Sequence, residues 1–229
     1  DNMGLLGEGN DREIFVEYFI PRTHSFSGGE GDDTMVMGHS GRDRTKRLMF
    51  VSSTNWNWVD KFDGGEGVDT LATRTNRDDV IDMTGSLLSN AHLKDVEIIK
   101  TGDGDDKVIL EGRSRNEMTV YGGSGDDTIV GTKTGDWLVG NTGEDHFYSD
   151  ADTRQILYGA VNEDQVDERD YFHLAADFYD ESNKVDLVVG FELGRDIIVT
   201  PFRHETDGGV GAPTKYAVKN WDGDTYVRL

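Results

Sequence analysis

The residues best placed for chemistry in this sequence are aspartates that return at a fixed distance behind glycines. Gly122–Val130 reads GGSGDDTIV, Gly131–Val139 reads GTKTGDWLV and Gly140–Tyr148 reads GNTGEDHFY. Glycine opens each unit, aspartate stands sixth at 127, 136 and 145, and a large apolar residue stands eighth at Ile129, Leu138 and Phe147. Glycine takes positive φ without steric penalty, so Gly-Gly-x-Gly predicts a tight turn that bares its carbonyl oxygens. The sixth-position carboxylate adds charge to that oxygen-rich space. Calcium, a hard cation that accepts roughly six to eight oxygens in a forgiving geometry, suits such a pair of turns.

The same pattern returns elsewhere, and gives a set of candidate calcium ligands. They are Gly28, Gly29, Glu30, Gly31 and Asp33, then Gly64, Gly65, Glu66, Gly67 and Asp69, then Thr101, Gly102, Asp103, Gly104 and Asp106. In the central run they are Gly122, Gly123, Ser124, Gly125 and Asp127, with Gly140, Asn141, Thr142, Gly143 and Asp145. If nine residues make half a coil, turns eighteen apart stack, so Gly122–Asp127 lies over Gly140–Asp145 and the two clasp an ion. On the opposite side Gly131–Asp136 faces Gly112–Glu117, which lacks the second glycine and the aspartate, and a poor or empty site is expected there. Asp33 and Asp69, thirty-six residues apart, read as two coils of eighteen.

The elements that hold these turns follow from the period. Nine fits neither a helix nor a simple strand; it fits the nonapeptide G-G-x-G-x-D-x-U-x of parallel β-rolls, whose x-U-x half is a short strand with its middle side chain in the core. On these residues the chain resembles the RTX (repeats-in-toxin, haemolysin-type calcium-binding) family. The resemblance implies an all-β fold, a parallel β-roll with loop-out insertions and a C-terminal β-rich cap. Residues 1–148 are expected to form the roll, with an insertion around 72–100, and residues 149–229 the cap. Phe62–Leu71, Asp95–Ile99 and Thr101–Ile109 look like a common RTX succession, and Asp170–Leu174 with Lys184–Val199 like the segment that follows the repeats. Ile156 keeps the apolar register nine residues after Phe147, and Asp164 does not restore the loop. A cap is needed because a roll's last coil otherwise exposes a bare edge. Leu48–Ser53 and Asp78–Asp82 read as strands, Ser86–His92 as a short helical turn, and Trp221–Asp224 as a hairpin turn. Leu6–Asp11 is already half a repeat, so the chain is expected to be part of a larger one.

Composition narrows the function. Across 229 residues, 45 Asp and Glu outnumber 23 Lys and Arg, for a net charge of −22. Such an excess opposes compaction unless it is neutralised, and about five or six bound calcium ions would cancel roughly half of it. A polyanionic partner is excluded along most of the surface, so no nucleic acid is expected. No run approaches a membrane span, the residues from Asp1 show no basic n-region and no apolar h-region, so no classical signal peptide is visible, and there is no cysteine. No H-E-x-x-H, G-x-S-x-G or P-loop is present, and His146 and His173 read as packing or surface residues, so no enzyme is expected. Trp56, Trp58 and Phe62 form an aromatic cluster that reads as core or edge cover rather than a sugar platform.

Two functions remain. One is a calcium-dependent folding module of a large extracellular bacterial protein, such as an adhesin or surface protein. The resemblance implies type I secretion for it, with folding after export and a glycan or peptide ligand at the cell surface. The other is an accessory polysaccharide-binding module of an extracellular carbohydrate-active enzyme, for which Arg42, Arg44, Lys46 and Arg47 would be the basic patch.

Overall fold

The computed structural model describes residues 2–5, 8–17, 24–39, 49–51, 61–83, 93–110, 117–149, 153–160, 168–174, 186–192, 194–199, 217–221 and 224–228. Among these the fold is all strands, arranged in three sheets. The longest, of ten strands, runs Arg12–Glu17, Thr34–His39, Thr70–Asn76, Ile98–Asp103, Thr119–Ser124, Trp137–Thr142, Ile156–Tyr158, Leu187–Val189, Asp224–Arg228, Ala217–Trp221. The seven-stranded sheet runs Met49–Val51, Val80–Asp82, Lys107–Ile109, Thr128–Val130, His146–Tyr148, Tyr171–His173, Ile197–Val199. The four-stranded sheet holds Asn2–Leu5, His24–Glu30, Lys61–Glu66 and Leu93–Lys94. Every pairing is parallel up to Leu187–Val189; the antiparallel hairpin Ala217–Trp221/Asp224–Arg228 then ends the ten-stranded ladder. This is a parallel β-roll.

From Thr119 onward the chain alternates between the ten- and seven-stranded sheets, so one coil has two walls. Thr119 pairs Trp137 and Thr128 pairs His146, a coil of eighteen residues. Upstream the chain also visits the four-stranded sheet, and the coil has three walls. There Ser25 pairs Lys61 and Thr34 pairs Thr70. Asp33 and Asp69 therefore lie in adjacent coils, one turn of thirty-six residues apart, and not two coils of eighteen as their spacing suggested. The third wall absorbs the extra residues.

The segment 72–100, read from sequence as an insertion, supplies parts of all three walls. Ile81, Met83, Leu93, Val96 and Ile99 are buried in the common core; residues 84–92, including the expected helical turn, lie outside the described residues. The parallel coils also run on past Tyr148, the expected limit of the roll, to Ile197–Val199. Ile156 is not the core residue of its coil. Leu157 pairs Leu138 and is fully buried, whereas Ile156 pairs the exposed Trp137, because this coil is one residue longer.

The core is one side chain thick per wall. Val108, Ile129, Phe147 and Phe172 line one wall, opposite Ile99, Val120, Leu138, Leu157 and Val188, and in the last strand Ile198 is only partly buried. Phe147 and Phe172 stack at 5.1 Å with planes 7° apart, and each buried side chain of this size contributes about 1.5–3 kcal/mol. Phe62 belongs to this core, which settles its role; Trp56 and Trp58 lie outside the described residues, as do Arg42, Arg44, Lys46 and Arg47. No helix among the described residues is long and apolar enough to cross a membrane.

Candidate metal centre

The Gly-Gly-x half of the motif is not a bare turn. Gly122-Gly123-Ser124 ends a strand that pairs with Trp137–Thr142, Gly123 opposite Asn141 and Ser124 opposite Thr142. The turn proper is Gly125-Asp126-Asp127. The backbone must still twist at the second and fourth places, where Gly123 and Gly125 have φ of 127° and 119°. Asn141 holds the second place of its own unit at φ 83°, a conformation asparagine tolerates better than most residues.

Each turn hands its aspartate to the turn before it. At the corner leading into the seven-stranded sheet, the backbone N–H of Asp79 donates to Asp106 Oδ1 at 2.6 Å, and that of Asp106 to Asp127 Oδ1 at 2.8 Å. Asp127 N–H donates to Asp145 Oδ1 at 2.9 Å, Asp145 N–H to Asp170 Oδ1 at 3.0 Å, and Asp170 N–H to Asp196 Oδ1 at 3.2 Å. Six aspartates thus form one continuous ladder. At the corner leading into the ten-stranded sheet the ladder is broken. Asp11 donates to Asp33 Oδ1, Asp33 to Asp69 Oδ1 and Asp69 to Glu97 Oε2, but beyond that the corner positions are Met118, Asp136 and Gln155.

One oxygen of each carboxylate is thus spent; the other is not. Oδ2 of Asp33, Asp69, Asp106, Asp127 and Asp145 is buried without a hydrogen-bond partner among the described residues. A buried acceptor left unsatisfied costs about 1–3 kcal/mol, and more when charged. Four of these oxygens, all but that of Asp106, sit where the first glycine of the motif leaves room. A Cβ on Gly28 would lie 2.1 Å from Asp33 Oδ2 and 2.2 Å from the Gly64 carbonyl of the next coil. A Cβ would stand 2.3 Å from Asp69 Oδ2 at Gly64, 2.1 Å from Asp127 Oδ2 at Gly122 and 1.8 Å from Asp145 Oδ2 at Gly140.

Burial is the main reason these carboxyls resist ionisation, with neighbouring acids adding to it and the backbone N–H bonds opposing. Asp69 is pushed up to about 6, Asp106 to about 7, Asp127 to about 8 and Asp145 to about 9. A cation among them inverts that cost. Among the described residues no three carboxylates or imidazoles converge on a point, so an ion here would draw on backbone carbonyls as well as carboxylates. That all-oxygen, backbone-rich donor set fits calcium, and neither zinc nor magnesium.

Residues 121–156 match the family model of the RTX calcium-binding nonapeptide repeat, in 4 copies, while no curated protein and no solved structure matches the chain. These are RTX calcium-binding repeats.

Within the RTX repeats and upstream of them, not every corner leaves room for an ion. Thr101, expected among the ligands, stands where Gly122 and Gly140 stand in later coils, and its hydroxyl donates to the Gly122 carbonyl at 2.7 Å. The Thr73 hydroxyl donates likewise to the Thr101 carbonyl. At Gly131 the gap is filled from the next coil: the Gln155 amide donates from Nε2 to the Thr132 carbonyl at 2.9 Å, and its Oε1 lies 2.6 Å from where a Cβ would be. The Asp136 carboxylate is engaged within its own turn, by Thr132 N–H and by the Thr132 hydroxyl at 3.0 Å.

The candidate residues divide accordingly. Gly28–Asp33 stacks on Gly64–Asp69, Thr101–Asp106 on Gly122–Asp127, and Gly122–Asp127 on Gly140–Asp145. Glu30, Glu66, Asp103 and Ser124 face solvent at the rim. Sequence reasoning passed over the fifth-place acids. Val68 N–H donates to Asp32 Oδ1 at 2.9 Å, Asp126 N–H to Asp105 Oδ1 at 3.0 Å and Glu144 N–H to Asp126 Oδ1 at 2.9 Å. They form an outer ladder running opposite to the inner one. Its signal was the doublet at Asp32-Asp33, Asp105-Asp106 and Asp126-Asp127.

Proposed function

We propose that this chain is a calcium-dependent folding module of a large extracellular bacterial protein, an adhesin or surface protein exported by type I secretion, and not an enzyme. The observation that carries the reading is the set of buried, unpartnered Oδ2 atoms beside open glycines. Their ligands would be Asp33 and Asp69 in the upstream coils and Asp127 and Asp145 in the RTX repeats, with carbonyls of the flanking turns. Calcium supplies there the charge that cancels these carboxylates and the bonds that complete them. In this reading the turns between Gly28 and Asp145 carry ions, and the coils after Tyr148 with the antiparallel hairpin close the roll. The titrating quantity is external calcium, since extracellular modules bind with dissociation constants of about 10⁻⁴–10⁻³ M, far above cytoplasmic levels. Isothermal titration calorimetry of the full chain is expected to give constants in that range. Sites filled already at sub-micromolar calcium would be loaded before export and would overturn folding after it.

A further inference from the structure

Beyond residue 156 the RTX match ends and no nonapeptide is readable, yet the corner geometry continues. Gly159 follows core residue Leu157 by two, as Gly122 follows Val120 and Gly140 follows Leu138. Asp170 precedes core residue Phe172 by two, as Asp127 precedes Ile129 and Asp145 precedes Phe147. Only the interval differs. Eleven positions separate Gly159 from Asp170, where five separate glycine from aspartate in the repeats.

The fold brings the two halves back together. A Cβ on Gly159 would lie 1.9 Å from Asp170 Oδ2, against 2.1 Å for the Gly122/Asp127 pair and 1.8 Å for Gly140/Asp145. This split corner is docked under the Gly140 turn as one repeat docks under another. Asn141 N–H donates to the Gly159 carbonyl at 2.8 Å, Asp145 N–H to Asp170 Oδ1 at 3.0 Å, and Tyr171 N–H to the Asp145 carbonyl at 2.7 Å. Gly143 N–H donates to the exposed Glu168 carboxylate, which places a further negative charge at the rim. A buried oxygen also points to an ion here: Asp145 Oδ2, in the turn directly above Gly159 and Asp170, has no hydrogen-bond partner among the described residues. The ladder stops one coil later. Asp196 Oδ2 accepts from Glu192 N–H of its own turn at 2.8 Å, so its spare oxygen is already used.

We propose that the Gly140–Asp145 turn and the split pair Gly159/Asp170 together hold a calcium ion, with Glu168 adding charge at the mouth. The inference rests on the calcium-module reading above and extends it to residues outside the repeat. An insertion between the glycine and the aspartate hides the site from any search by spacing.

Calcium titration of the full chain by calorimetry and native mass spectrometry tests it, with Asp127→Asn as the comparison inside the repeats. Asp170→Asn is expected to lose one ion from the wild-type count, as Asp127→Asn does. An unchanged count and unchanged affinities in Asp170→Asn, beside a loss in Asp127→Asn, would overturn the split site and leave the module reading intact. Wild-type protein that takes up no calcium would instead overturn the module reading itself. Where Asp170→Asn does not fold, Glu168→Gln keeps an acceptor for Gly143 N–H and removes only the rim charge. One binding step about tenfold weaker supports the site, and identical isotherms reject it.

Discussion

Removing calcium at neutral pH should unfold this protein, and the size of the effect follows from the corners. Among the described residues five carboxylate oxygens are buried without hydrogen-bond partners. At about 1–3 kcal/mol for each unsatisfied acceptor, they place about 5–15 kcal/mol against the metal-free fold, comparable with the entire stability of an ordinary domain. The opposing contribution is small, because the core is one side chain thick and the chain carries a net charge of −22. Approached from the ion's side, calcium at about ten times its dissociation constant adds about 1.4 kcal/mol per site. Four such sites, one for each of Asp33, Asp69, Asp127 and Asp145, bring about 6 kcal/mol, or about 10–25 °C in Tm for a chain of this length. The assay is far-ultraviolet circular dichroism with thermal melting at pH 7.5, first in EDTA and then with millimolar calcium. A disordered spectrum without a melting transition should give way to a β-type spectrum with a cooperative one. Magnesium should fail at the same concentration, because it demands a tighter octahedral shell and holds its waters. A β-type spectrum in EDTA with the same Tm as in calcium would refute the reasoning, since the orphaned oxygens would then carry no cost.

Two further outcomes separate charge from geometry. Burial raises the carboxyls of Asp69, Asp106, Asp127, Asp145 and Asp170 to between about 6 and about 9 in the metal-free fold. That fold therefore holds protons more tightly than the unfolded chain, and its stability is fullest below the unfolded carboxylate range and lost as pH rises through 6 to 9. In EDTA, β-structure should return on acidification from pH 8 to pH 5.5, and a spectrum unchanged over that interval would contradict the assignment. Asp127→Asn keeps an acceptor for the Asp106 N–H but replaces the spare oxygen with a donor. It should lower Tm in calcium by about 1.5–3 kcal/mol equivalent and raise β-content in EDTA, whereas Asp180→Ala, outside the repeats, should stay within about 0.5 kcal/mol in both. A loss of the same size for Asp127→Asn with and without calcium would mean that the residue serves packing alone.

The parts of the fold legible in sequence are those fixed by spacing alone. Ile129, Leu138 and Phe147 stand at the eighth place and enter the core because each is the second residue of the strand that follows its turn, and that side chain points inward. The stacking of Gly122–Asp127 on Gly140–Asp145 follows from the same period. Spacing misleads where coils differ in length. Thirty-six residues between Asp33 and Asp69 are consistent with two short coils or one long coil, and only the third wall of Lys61–Glu66 against His24–Glu30 decides between them. The interval from Gly159 to Asp170 conceals a corner for the same reason.

What spacing also leaves open is which corners need an ion, and the first residue of each turn governs that. The next coil presents the Gly64 carbonyl to Gly28, the Thr101 carbonyl to Thr73 and the Gly122 carbonyl to Thr101. At Thr73 and Thr101 a hydroxyl reaches that carbonyl, and at Gly131 the Gln155 amide fills the gap. Each supplies a neutral donor that holds adjacent coils together at any calcium concentration. At Gly28, Gly64, Gly122, Gly140 and Gly159 no side chain can enter, since a Cβ would overlap a carboxylate oxygen at 2.3 Å or less. There the attraction has to come from a cation. The hydroxyl staples lie at the corner before the seven-stranded sheet and upstream of Gly122, while the open glycines of that corner lie from Gly122 onward. Calcium dependence along that corner is therefore expected to be graded, and greatest where the RTX repeats are most regular.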